Sequence, residues 1–360
     1  MQLTITTTAA PKEKPQGNAI SFGKYFTDHM FQMSYDPQRG WHDARIGPYQ
    51  PLSLDPAAAV LHYGQALFEG LKAYRCEDGR VNLFRVDRHS ERFRKSAERL
   101  CVPPVPVEQT VAAIRAFVRH ERDWVPSAPG TALYIRPTII GTEAFLGVRA
   151  ATRYTFFIIA SPVAAYYTNG FKPLRLWVEQ EHIRAARGGL GAAKTGANYV
   201  ASLLAFEQAR QRGYDQVLWL DAEQRQFLEE VGTMNACVVI GDELITPPLE
   251  GSILAGVTRD CVLTLARKWG VPTSERRISL QEVLAAAQKG TLKEIFGCGT
   301  AAVISPVGEL GYRDGSGDQH LVINDRQTGP LASRLHKEIT GIQYGKSPDA
   351  HGWLTAVDDS

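Results

Sequence analysis

The densest chemistry in the chain lies in Arg187-Gly-Gly-Leu-Gly-Ala-Ala-Lys-Thr-Gly-Ala-Asn-Tyr199, where one lysine, Lys194, sits among small residues just before a helical pattern. Two chemistries compete for such a lysine. In the first, Gly188, four residues, Ala193, Lys194 and Thr195 form a phosphate loop one substitution from G-x-x-x-x-G-K-[ST]. The missing glycine counts against it, because the loop must curl round phosphates. Gln180-Glu-His-Ile-Arg184 is also too polar for the buried strand that feeds such loops. In the second, Lys194 is a Schiff-base lysine, which needs a depressed pKa and small neighbours that leave it room to exchange partners. A solvated loop lysine is the third option, and this segment alone does not choose.

Three further segments narrow the choice. Phe227-Leu-Glu-Glu-Val-Gly-Thr-Met-Asn235 ends an apolar stretch in two acids and a glycine turn. If Lys194 carries pyridoxal phosphate, Glu229 or Glu230 is the carboxylate that keeps the pyridine nitrogen protonated and makes the ring an electron sink. Gly256-Val-Thr-Arg259 runs into the apolar helix pattern from Asp260 to Ala266. Its first N–H groups, with Thr258 beside them, make an anion site, unless Thr258 is simply the N-cap. In Phe296-Gly-Cys-Gly-Thr-Ala-Ala302, Gly297 and Gly299 allow close backbone approach to a ligand, and Thr300 opens an anion-binding nest. A lysine, a carboxylate and two anion cradles are the parts a pyridoxal phosphate site requires.

The elements that must position these residues alternate between strand and helix. Val81–Arg85, Ala132–Arg136 and Tyr154–Ile159 read as strands. Phe93, Ala97 and Leu100 share one helical face, and Val107, Val111, Ile114 and Val118 another. Leu174–Val178 and Gln216–Leu220 read as strands, Tyr199–Arg212 as a helix stopped by Gly213, and Ala236–Ile245 as a hairpin turning at Gly241-Asp242. Ser279-Leu-Gln-Glu282 is a capping box. Punctuation by Pro162, Asn169, Gly170 and Pro173 breaks the pattern near Ser161 to Pro173. With Arg136 before that break and Lys194 beyond it, the site is expected between two domains.

The 360 residues carry 40 Lys+Arg against 38 Asp+Glu, so no nucleic-acid partner or basic membrane surface is expected. Cys76, Cys101, Cys237, Cys261 and Cys298 are odd in number and widely spaced, which fits buried free thiols in a reducing compartment. No apolar run reaches membrane-spanning length, and residues 1–17 read as a loose cytoplasmic N-terminus.

Six motifs occur in order: Gly64-Gln-Ala-Leu-Phe-Glu-Gly70, Tyr134-Ile-Arg-Pro137, Lys194-Thr-Gly-Ala-Asn-Tyr199, Glu230-Val-Gly-Thr-Met-Asn235, Gly256-Val-Thr-Arg259 and Gly299-Thr-Ala-Ala302. From about Phe22 to about Tyr344 the chain resembles the branched-chain amino acid aminotransferases, pyridoxal-phosphate enzymes of fold type IV. The resemblance implies an α/β (mixed α+β) two-domain fold, with a small N-terminal α/β domain and a larger C-terminal pseudo-barrel domain. The boundaries expected are a flexible 1–20, a small domain 21–165, a linker 166–173 and a large domain 174–360. It further implies transfer of the amino group of L-leucine, L-isoleucine or L-valine to 2-oxoglutarate, in a homodimer whose partners share the active site.

The family's roles carry over residue by residue. By resemblance Lys194 is the catalytic Schiff-base lysine, Tyr199 bonds the phenolic oxygen of pyridoxal phosphate, and Glu230, not Glu229, pairs with the ring nitrogen. Arg85, Val257, Thr258 and Thr300 match the phosphate ligands. Tyr134, Thr300 and Ala301 match the α-carboxylate site, and Arg136 the residue that receives the distal carboxylate of glutamate. Phe22, Tyr63, Phe68, Val148 and Thr233 match the side-chain pocket, with Tyr63 and Val148 acting across the dimer interface. No metal ligand is implied. Ala197 stands where many relatives have glycine, and Gly299-Thr-Ala-Ala-Val-Ile-Ser305 lacks the CxxC of some animal mitochondrial relatives, so no thiol switch is expected there. D-amino acid aminotransferases and aminodeoxychorismate lyases share the lysine, the glutamate and the cradles. A phosphate-loop nucleotide-binding protein or a non-enzymatic binding module is the more distant alternative.

Overall fold

The strand signals resolve into two nine-stranded sheets, one in each of two units of the chain. The computed structural model describes residues 2–15, 17–164 and 171–358. One unit groups Met1–Tyr166, Ala193–Gly196 and Gly341–Ser360; the other groups Tyr167–Ala192 and Ala197–Thr340. The strands are β1 (Leu3–Ile5), β2 (His29–Asp36), β3 (Gly40–Pro48), β4 (Ala66–Phe68), β5 (Leu71–Arg75), β6 (Val81–Phe84), β7 (Ala132–Gly141), β8 (Tyr154–Val163), β9 (Leu174–Glu179), β10 (Gln216–Leu220), β11 (Leu228–Val231), β12 (Met234–Ile240), β13 (Glu243–Thr246), β14 (Thr273–Glu275), β15 (Leu292–Gly299), β16 (Val303–Asp314), β17 (Gly317–Val322) and β18 (Leu354–Ala356). The helices are α1 (Ala59–Tyr63), α2 (Val86–Arg99), α3 (Val107–His120), α4 (Gly196–Val200), α5 (Leu203–Gln211), α6 (Val257–Lys268), α7 (Leu280–Gln288) and α8 (Pro330–Gln343).

The first sheet runs β1-β3-β2-β8-β7-β5-β6-β18, with β4 beside β7. Period-two alternation sets its faces. Along β7, Leu133, Ile135 and Ile139 are buried in the core, while Tyr134, Arg136 and Thr138 are half-buried on the other face. Phe93 and Ala97 of α2 and Ile114, Phe117 and Val118 of α3 pack into that core. Val107 and Val111 are only half-buried, because the buried stripe of α3 is centred on Thr110, Ala113, Ile114 and Phe117.

The second sheet runs β11-β10-β9-β16-β15-β12-β13-β14, with β17 on β16. Because β11 pairs with both β10 and β12, the path β11-β10-β9-β16-β15-β12 closes on itself as a barrel. The expected hairpin is β12–β13, pairing Ile240 with Glu243 around Gly241 at φ 58°. Ser279 caps α7 by accepting the Glu282 N–H at 3.0 Å.

Several expectations are corrected. The helix expected over Tyr199–Arg212 is two helices, because Ser202 Oγ donates to the Asn198 carbonyl at 2.9 Å and breaks the ladder between α4 and α5. The strand from Val81 stops at Phe84, since Arg85 is left-handed at φ 53°. The break near Ser161 begins later, because β8 continues to Val163 with Pro162 opposite Leu133. Of the expected linker 166–173, residues 166–170 lie outside the described residues. Ala193–Gly196 and Gly341–Ser360, expected in the second domain, group with the first unit, where β18 pairs with β6. The expected loose N-terminus is held: β1 pairs with β3, and the Lys12 N–H donates to Asp28 Oδ1 at 2.7 Å. All five cysteines are free, but Cys101 is exposed. Among the described residues no helix is long and apolar enough to cross a membrane.

Candidate active site

Lys194 is fixed through its backbone. Its N–H donates to Ser96 Oγ at 3.0 Å, its carbonyl accepts from the Phe68 N–H at 3.0 Å, and Thr195 Oγ1 donates to the Ala66 carbonyl at 2.7 Å. A phosphate loop would need that N–H for its ligand, a feeding strand through 180–184 and a long following helix. Here the N–H is engaged, the strand stops at Glu179, and α4 has 5 residues.

Around Lys194 the first unit gathers four of the expected pocket residues. Lys194 Nζ lies 5.3 Å from the Phe68 ring centre, and the Arg136 guanidinium lies 4.5 Å from the same ring. Arg136 Nη2 donates to Tyr134 Oη at 2.9 Å, and the Phe22 and Tyr134 rings are 5.0 Å apart. Arg136 Nε is buried with no hydrogen-bond partner among the described residues. An unmatched donor costs ~1–3 kcal/mol, so this one is suited to an acceptor brought by a ligand. Gly70 is required beside Tyr134, since a Cβ there would stand 2.0 Å from Tyr134 Oη.

Two features escaped the motif reading. Lys72 is the cross-strand partner of Tyr134 on β5, is buried, and has its pKa lowered to about 8 by that burial. A lysine in the apolar run Leu71-Lys-Ala-Tyr74 was the available signal. Glu69 is buried against Arg92, whose Nε and Nη2 reach it at 2.8 and 2.6 Å, and against His89. Burial alone would raise the Glu69 pKa, but Arg92 and His89 outweigh it and hold the carboxyl far below the usual range.

Tyr63 and Val148 do not join the cluster. Tyr63 Oη donates to the Leu146 carbonyl, and Val148 is 88% exposed. Arg85 is buried as the left-handed N-cap of α2, its guanidinium 5.3 Å from the Trp353 ring centre.

The second unit assembles the carboxylate and the anion cradles. Glu230 and Asn235 face each other across β11–β12 and grip one residue: Glu230 Oε1 accepts the Leu254 N–H at 3.0 Å, and Asn235 Nδ2 donates to the Leu254 carbonyl at 2.9 Å. This grip delivers the N-terminus of α6, with Val257 and Thr258 in its first turn. Gly256, not Thr258, is the N-cap, so the N-cap residue itself brings no side chain to the helix end, and a Cβ at 256 would lie 1.8 Å from Asn235 Oδ1. The simple capping role for Thr258 is thereby overturned.

Glu229 points to the other face of β11, accepts from Ser252 Oγ, and is pushed by burial up to about 7. Thr300 and Ala301 lie half-buried in the β15–β16 turn. The glycines before them serve packing: Cβ atoms at 297 and 299 would meet Met234 at 2.9 and 3.3 Å, so the close approach is to a protein side chain. Tyr199 is half-buried on α4, and Thr233 is exposed in the β11–β12 turn.

One metal-ligand cluster occurs among the described residues, His29, His120 and Glu121. The Thr8 N–H donates to His29 Nε2 at 2.8 Å, so Nδ1 must carry the proton shared with Glu121 and has no lone pair for an ion.

The first unit thus supplies a lysine, Arg85 and an aromatic cluster with Arg136. The second supplies a buried carboxylate and a helix N-terminus opened by a glycine. In kind, these donors fit the aldehyde, phosphate and ring nitrogen of pyridoxal phosphate. A family model described as Amino-transferase class IV matches residues 66–310. The chain belongs to the class IV aminotransferases and, within them, to the branched-chain-amino-acid aminotransferase family. It is 50% identical over 355 residues to Branched-chain-amino-acid aminotransferase 2 of Bacillus subtilis (strain 168), covering 99% of this chain and 97% of that one. Among solved structures it resembles the branched-chain aminotransferase of Thermoproteus uzoniensis with norvaline, at TM-score 0.75 and 28% identity over 92% of this chain and all (100%) of that one. It also resembles the branched-chain amino acid aminotransferase of Escherichia coli, at TM-score 0.74 and 25% identity over 92% and 99% of the two chains.

Proposed function

We propose that this chain holds pyridoxal 5'-phosphate on Lys194 and reversibly transfers the amino group of L-leucine, L-isoleucine or L-valine to 2-oxoglutarate, with ping-pong kinetics. The observation that carries this reading is the unpaired Arg136 Nε within the cluster of Phe22, Phe68 and Tyr134. Apolar walls with one cation at their edge serve both a branched aliphatic side chain and the distal carboxylate of glutamate.

Bound pyridoxal phosphate supplies an electron sink for negative charge developing at the substrate α-carbon. Lys194 moves the proton at that carbon. The Glu230 carboxylate keeps a proton on the pyridine nitrogen, and Tyr199 bonds the phenolic oxygen. Arg85, Val257, Thr258 and Thr300 hold the phosphate. Tyr134, Thr300 and Ala301 orient the α-carboxylate, while Phe22, Phe68 and Thr233 line the side-chain pocket. Tyr63 and Val148 complete a second subunit's pocket in a cytoplasmic homodimer; their exposure beside exposed Phe145 and Leu146 supports this. No nucleic acid or membrane partner is needed.

The test is a visible spectrum of the purified protein, borohydride reduction with peptide mapping, and a panel of L- and D-amino donors. Label on Lys194 and turnover of L-leucine, L-isoleucine and L-valine with 2-oxoglutarate are expected. Preference for D-donors, or lyase activity on aminodeoxychorismate, would replace the reading with its relatives. A colourless protein unchanged by borohydride and stabilised by ATP would replace it with nucleotide binding.

A further inference from the structure

Arg184 lies in no helix or strand, yet it is buried, and three segments of the second unit meet on its guanidinium. Its Nη2 donates to the Gly191 carbonyl at 3.4 Å and to the Ser252 carbonyl. Its Nε lies 3.2 Å from Glu230 Oε2, an ion pair without hydrogen-bond alignment. Gly191 is required for this junction, because a Cβ there would sit 2.0 Å from the Ser252 carbonyl oxygen. One guanidinium therefore ties the glycine-rich loop and the segment before α6 to β11. With Oε1 of Glu230 held by the Leu254 N–H and Oε2 by Arg184, the carboxylate is confined to one orientation.

We propose that Arg184 is a positioning residue for transamination: it keeps Glu230 ionised and oriented, and so sustains the proton on the cofactor's pyridine nitrogen. This rests on the function proposed above. Burial favours the neutral form of a carboxyl, and a guanidinium beside it favours the charged form. Glu229, the next residue on β11, makes the comparison. Its carboxyl bonds the Ser252 hydroxyl rather than a cation, and burial pushes it up to about 7 although that hydroxyl and the Arg184 charge oppose the rise.

The experiment compares Arg184→Gln, Arg184→Lys, Glu230→Gln and the Arg184→Gln/Glu230→Gln double variant with wild type. Each apoprotein is titrated with pyridoxal phosphate for affinity, and each loaded protein is titrated with acid and base while its visible absorption is followed. Arg184→Gln is expected to weaken cofactor affinity on the order of 10-fold and to shift the titration in the direction Glu230→Gln does. Arg184→Lys should restore part of both, and it carries the test if the glutamine variant fails to fold. In the double variant the loss should not exceed that of Glu230→Gln alone. Wild-type affinity and titration in Arg184→Gln, or losses that multiply in the double variant, would overturn the inference and leave the parent function standing. Failure of wild type to take up pyridoxal phosphate on Lys194 would instead overturn the parent function.

Discussion

Tyr134 and Arg136 sit two residues apart on one face of β7, and Arg136 Nη2 donates to Tyr134 Oη at 2.9 Å. The side chains expected to read the two ends of a substrate thus form one hydrogen-bonded unit on a rigid strand. The same arginine stacks on Phe68 while its Nε stays unmatched.

Arg136→Met keeps the stacking volume and removes the charge. Turnover with glutamate and 2-oxoglutarate should fall ~100-fold or more, because a site built to bond a polar group discriminates far more strongly than an apolar pocket does. The leucine half-reaction should lose only a few-fold, through the freed Tyr134 hydroxyl. Single-turnover spectroscopy of each half-reaction checks this, and equal losses in both would sink the assignment of Arg136.

Gly70→Ala places a methyl carbon within 2.0 Å of Tyr134 Oη. Tyr134 sits between Gly70 and Phe22, so β5 or the ring must shift. The expected cost is ~1–3 kcal/mol of stability, with a raised KM for leucine. Thermal denaturation and steady-state kinetics measure both; an unchanged KM would show that Tyr134 does not hold the substrate.

Arg92→Leu leaves Glu69 buried without its main counter-charge. Removal of one partner of a buried pair costs about 3–5 kcal/mol, and the double change Glu69→Gln/Arg92→Leu should recover part of it. The depressed Glu69 pKa contributes stability that is complete above the ordinary carboxylate range and fades as pH falls below it. Denaturant melts at neutral and acidic pH should therefore show the Arg92→Leu deficit narrowing in acid.

Glu229 has the opposite sign. With its pKa raised to about 7, the folded protein holds a proton that the unfolded chain releases near 4.5. Stability is lost as pH rises from about 4.5 to 7, and Glu229→Gln should remove that slope, gaining about 1–3 kcal/mol at pH 8. Melting temperature against pH for the two proteins is the measurement. Parallel curves would show that Glu229 titrates normally.

Residue order alone determined much of this protein. Period-two alternation in β7 put Tyr134 and Arg136 on one face, the Gly241 turn set the β12–β13 hairpin, and Ser279 capped α7, because each is decided within a few residues of chain. The six ordered motifs named the family. What the chain order could not show is what depends on neighbours distant in sequence. The pairing of β9 with β16 and of β12 with β15 that lets the barrel close, the return of Lys194 to the first unit through Ser96 and Phe68, and the return of β18 to β6 are long-range pairings. Local propensity carries no record of them. Likewise Gly297 and Gly299 look like ligand-binding glycines until Met234 is seen against them. The two acids Glu229 and Glu230 are neighbours in sequence, but alternation sends one to Ser252 and the other to Arg184 and Leu254. That difference in surroundings is tertiary, and burial and partners, not residue type, decide where a carboxyl holds its proton.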